Sequence, residues 1–132
     1  MKATIRKWPE VDIIKIYTKS SLVEWNNFLT LCYNRQDLLC LEKTYYGLQV
    51  GMDNIVKRKL NNEKISNLFI RLTRSIEITV KRIYRNKFPN KLDDPITAKK
   101  MMIDRPMEYK ELLKEKRQRD GMFEAWLRRV SF

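Results

Sequence analysis

Apolar residues recur along most of this chain at the three- and four-residue steps of a buried helix face. Leu38, Leu41, Tyr45, Leu48, Met52 and Ile55 follow one such line, with Leu31 one heptad earlier. Ile65, Phe69, Leu72, Ile76, Val80 and Ile83 follow a second. Ser21-Leu22-Val23-Glu24 matches a capping box and opens the first helical region. Asn34 marks a candidate break; otherwise one helix of about 60 Å runs from Ser21 to Leu60. Asn61-Asn62 supplies a turn and cap, and Phe88-Pro89 ends the second helix near Lys87. Two long helices joined by a short polar turn predict an antiparallel helical hairpin over residues 21–88.

The flanking segments read differently. Val11 to Thr18 is rich in β-branched residues and partly alternating, and Trp8-Pro9 disfavours a helix there. This predicts an extended N-terminal arm over residues 1–20. Residues 89–104 carry Pro89 and Pro95 and no clear period, which predicts an extended connector. Asp104 can cap a further helix with Pro106 in its first turn, so 105–132 reads as a C-terminal helical docking segment. Within it, 114–120 is charged at six of its seven positions and reads as solvated, with Gly121 as punctuation. Met122, Phe123, Trp126, Leu127 and Val130 share one helical face. The fold class is therefore all-α.

Gly47 and Gly51 stand four apart inside the first apolar line. Each costs a helix about 1 kcal/mol relative to Ala. Their spacing suits close packing against another backbone, since the charged residues Glu42, Lys43, Asp53 and Lys57 argue against a membrane helix.

Composition narrows the chemistry. The chain has 132 residues, no His and three Gly. That removes His general bases, Ser-His and Cys-His pairs and His-ligated metals within the chain, and neither GxxxxGK nor GxGxxG is present. No apolar run approaches the ~20 residues of a membrane span, and the basic, polar start MKATIRKWPEVD is not a secretory signal. Cys32 and Cys40, eight apart on one helical pattern, would sit about 12 Å apart along the axis, too far for a disulfide. Both read as small buried hydrophobes in a reducing intracellular compartment, or in a virion. Asp93-Asp94 and Asp104 form the one dense acidic cluster and read as turn and capping groups rather than a metal site. No cofactor is implied.

Charge supplies the functional expectation. The net charge is +12. Residues 21–56 carry −2, whereas 57–87 carry ten basic against two acidic side chains, or +8. Lys57, Arg58, Lys59, Lys64, Arg71, Arg74, Lys81, Arg82 and Arg85 form a candidate polyanion-binding set, lying mostly off the Ile65–Ile83 stripe. Spaced cations along one helix suit a phosphate backbone or an acidic protein surface. No helix-turn-helix spacing, zinc-finger or RNP motif points to base-specific reading. Trp8, Met122, Phe123, Trp126, Leu127 and Val130 are candidate anchors for protein partners. These features lead to the expectation of a non-enzymatic, oligomer-forming structural subunit of a large assembly, such as a virion. Its termini would grip protein neighbours and its basic helix would face nucleic acid or an acidic partner. The alternative is a free-standing, sequence-nonspecific DNA- or RNA-binding factor in recombination, packaging or transcription.

Overall fold

The computed structural model describes residues 9–19 and 22–131. Among them are six α-helices and no strand: α1 (Ile13–Lys19), α2 (Leu22–Arg35), α3 (Leu38–Lys57), α4 (Glu63–Lys87), α5 (Pro95–Asp104) and α6 (Pro106–Val130). The all-α class is as the periodicity predicts. The body is richer than two helices, because α4 packs against α1, α2, α3 and α6 and lies at the centre.

The region 21–60 forms two helices. Gln36 takes a left-handed conformation, φ 51°, and the chain turns there. The Asp37 amide donates to the Cys32 carbonyl at 2.9 Å, closing α2. The Asp37 carboxylate accepts from the Cys40 amide at 3.0 Å, capping α3. The break is thus at Gln36–Asp37 and not at Asn34. It also re-aims α2, so Leu31 faces outward while Leu29 and Cys32 are buried. At the other end of α3, the Asn62 side chain accepts from the Ile65 amide at 2.9 Å and starts α4.

Two expected extended segments contain helix. Residues 9–12 have no regular secondary structure, but Ile13–Lys19 is α1. A lone strand leaves its backbone groups unpaired, whereas a helix closes them internally. Asp12 caps this one, accepting from the Lys15 amide at 3.0 Å. Ile13 becomes fully buried, with Ile14 and Ile16 packed beside it. Likewise, 89–104 holds a 3-10 turn at Lys91–Asp93 and then α5. Asn90 and Asp93 form a reciprocal capping box around the turn, and Asp94 caps α5 with Pro95 in the first position. The two prolines start elements here instead of preventing them.

Helix α6 runs without interruption through Gly121, where added bulk would meet nothing. Phe123, Trp126 and Val130 join the main core. Trp126 is fully buried, edge-on to Tyr45 at 5.5 Å between centroids and stacked on Phe123 at 6.2 Å. The Val130 carbonyl accepts from the Gln49 side chain at 2.8 Å. The apolar face of the C-terminal segment therefore fills the chain's own core. This corrects its reading as a partner-docking face: Phe123, Trp126 and Val130 have no surface left to offer, and Leu127 packs against the same core. Met122 alone of that set is exposed.

Gly47 and Gly51 accommodate the N-terminal segment. A Cβ on Gly47 would stand 2.5 Å from the Pro9 carbonyl oxygen, and one on Gly51 would collide with that of Val11. The Val11 amide donates to the Gly47 carbonyl at 3.1 Å. The close backbone partner is thus a strap from the same chain.

Candidate nucleic-acid interface

Helix α4 separates its apolar and cationic residues onto opposite faces. Ile65, Leu72, Ile76, Val80 and Ile83 are buried. At about 100° per residue, Arg71, Arg74, Lys81, Arg82 and Arg85 fall within a sector about 100° wide on the opposite side. All five are exposed. At 1.5 Å per residue, Arg71 to Arg85 spans about 21 Å, the rise of about six nucleotides on one strand of a duplex. Glu77, one of two acidic residues on α4, is withdrawn from this ridge: its carboxylate accepts from the Tyr45 hydroxyl at 3.1 Å. Burial, with the Glu77 charge next, pushes the Tyr45 phenol up to about 12, so it stays a neutral donor.

Among the described residues, Arg71, Arg74, Lys81, Arg82 and Arg85 make no ion pair. Two of them are steered sideways by aromatic rings. The Lys81 ammonium lies 4.8 Å from the Phe123 centroid, toward α6. The Arg82 guanidinium lies 4.4 Å from the Tyr33 centroid, toward α2. Arg58 and Lys59 lie exposed on the link into α4, with Lys59 left-handed at φ 57°, and Lys64 is exposed in its first turn. Lys57 is already paired with Asp53 at 2.9 Å. The nine cations thus divide into a five-residue ridge, three exposed charges at its base and one surface ion pair.

A groove flanks the ridge on each side. Toward α6, a cavity of about 210 Å³ is lined by Lys81, Arg85 and Arg119 but also by Asp120 and Glu124. Toward α2, a groove of about 450 Å³ is lined by residues that include Asn26, Tyr33, Asn34, Ile78 and Arg82.

Sequence reasoning missed Arg119. It lies in the charged run read as solvated, yet only 3% of its side chain is exposed. Its guanidinium grips Asp93 through two hydrogen bonds, Nη1 to Oδ2 at 2.8 Å and Nη2 to Oδ1 at 2.7 Å. Nη1 also donates to the Phe88 carbonyl at 3.1 Å, tying α6 to the end of α4. Hydrogen bonds from Arg119 hold the Asp93 carboxyl below its ordinary value. The signal was spacing: Leu112, Lys116, Arg119, Phe123, Trp126 and Val130 step by four and three, which puts Arg119 on the inward line. Asp93 and Asp94 serve as cap and ion-pair partner, in keeping with a turn-and-capping role.

The bend after α2 also changes the cysteines. Cys32 and Cys40 are not separated along one rod: they lie on different helices, α2 and α3, on either side of the bend. Burial, reinforced by the neighbouring Cys40, pushes the Cys32 thiol up to about 12. Trp8 lies outside the described residues. No described helix is long and apolar enough to cross a membrane. No protein-family model matches the chain, and neither curated proteins nor solved structures yield a match.

Proposed function

We propose that this chain is a sequence-nonspecific nucleic-acid-binding protein that engages the phosphate backbone through the α4 ridge. The observation that carries the reading is the set of five exposed cations, free of ion pairs among the described residues, on a helix whose other face is locked in the core. The packed helix fixes the backbone spacing of the row, and the row releases counterions when it meets phosphates. The test is salt-dependent binding by the purified chain. Five phosphate contacts predict a log-log salt slope of about −4 to −5 on duplex DNA. Arg71→Glu with Arg74→Glu and Arg85→Glu should lower affinity by at least about 100-fold and flatten that slope. Unchanged binding by the triple variant, or no binding at low salt, overturns the proposal.

A second reading, an assembly subunit, rests on a separate observation. Ile96, Met102, Ile103 and Met107 stand exposed on α5 and the start of α6, with Ile103 at 77% and Met107 at 76%. Exposed large apolar residues this close in the chain suit a protein neighbour. Co-purification from the native source that survives nuclease treatment and is lost with Ile103→Glu supports this reading; capture abolished by nuclease counts against it.

A further inference from the structure

The two grooves beside the ridge differ in charge, and that difference selects between them. The α6-side cavity contains Asp120 and Glu124, which repel phosphate. No acidic side chain lines the α2-side groove. Resting on the nucleic-acid reading above, we propose that the groove between α2 and α4 receives an unpaired base of a single-stranded nucleic acid whose backbone follows the ridge.

Three features carry this. The Arg82 guanidinium over the Tyr33 ring makes a flat cation–aromatic platform at the junction of ridge and groove. A base has a π-face, and both arginine and tyrosine stack on such faces without demanding a particular sequence. Secondly, the aliphatic hydroxyls in the groove are already committed. Thr30 donates to the Asn26 carbonyl, Ser75 to that of Leu72 and Thr79 to that of Ser75. The side-chain amides of Asn26 and Asn34, both exposed, have no hydrogen-bond partner among the described residues. Each amide offers a donor and an acceptor, the pair needed for a base edge. Thirdly, Ile78 lines the same groove, is exposed and presents an apolar surface to it. At about 450 Å³ the groove is within the size range of small-ligand sites. A base held in a duplex is already stacked and paired, so it cannot enter.

The test measures fluorescence anisotropy with the full chain on three labelled probes at one salt concentration. These are an oligothymidylate of about 16 nucleotides, a matched strand with abasic sites at every second position, and a blunt duplex. The proposal expects the intact single strand to bind at least about fivefold more tightly than the abasic strand, the scale of one base stack. Tyr33→Ala should erase that gap. Asn26→Ala with Asn34→Ala, a surface change that preserves both fold and charge, should narrow it with duplex binding and salt slope unaltered. Equal binding of intact and abasic strands by the unaltered chain overturns the groove while leaving the phosphate reading in place. Failure to bind any of the three overturns the phosphate reading, and the groove proposal falls with it.

Discussion

Removing Asp93 should destabilise the protein more than removing the arginine it holds. Arg119 is 3% exposed and Asp93 30% exposed. Asp93→Ala leaves a buried guanidinium with only the Phe88 carbonyl and a 3.7 Å approach to Asp120. Stranding a buried charge costs about 3–5 kcal/mol, and partial water access at Asp93 places this case near about 3. With unfolding entropy near 2.1 cal/mol/K per residue, a chain of 132 residues should lose about 10 °C in Tm. Arg119→Met instead leaves the more exposed partner unpaired and keeps an apolar stem, so about 1 kcal/mol is expected. The double variant should resemble Arg119→Met, giving a coupling of about 3 kcal/mol in a cycle read by circular dichroism during thermal and urea unfolding. The pH dependence has a definite sign. Asp93 titrates below its ordinary value of 3.8 when folded, so its contribution is full above that pH. It is lost as pH falls through the folded value, and wild type and Asp93→Ala should converge in acid. A Tm loss below about 3 °C at neutral pH, or additive single variants, would refute the reasoning.

Other consequences follow from the same packing. Gly51→Ala should cost about 2 kcal/mol or more, since its Cβ would meet the Val11 carbonyl. Gly121→Ala, with open space around it, should gain about 1 kcal/mol in the same melts. A gain at Gly51 would contradict the strap, and a loss at Gly121 would contradict the open space around it. Trp126→Ala should cost about 3–5 kcal/mol. Trp126→Phe should cost distinctly less, because it also removes an indole N–H that has no acceptor among the described residues. In thiol labelling at pH 8, Cys40 should react first and Cys32 only on unfolding, because Cys32 is buried and its thiol is held protonated. Equal rates under native conditions would count against that geometry.

Sequence periodicity alone determined the helices whose apolar lines are long. The Leu38–Ile55 and Ile65–Ile83 lines are α3 and α4, and the cap at Asn62 and the stop before Pro89 lie where local chemistry puts them. The charge separation on α4 was equally legible, since a helix carries its faces directly in its sequence. Short segments were not legible. Val11 to Thr18 has strand-like composition, but without a partner strand its backbone is satisfied only as a helix, and burial of Ile13 decides the matter. Pro95 looked like a breaker because its role depends on Asp94 capping before it. Only the assembled structure could show that Arg119 is inside, that the C-terminal aromatics complete the chain's own core, and that a bend at Gln36 brings two thiols together. Those outcomes depend on contacts between residues far apart in the chain or across a turn, and no local propensity encodes them.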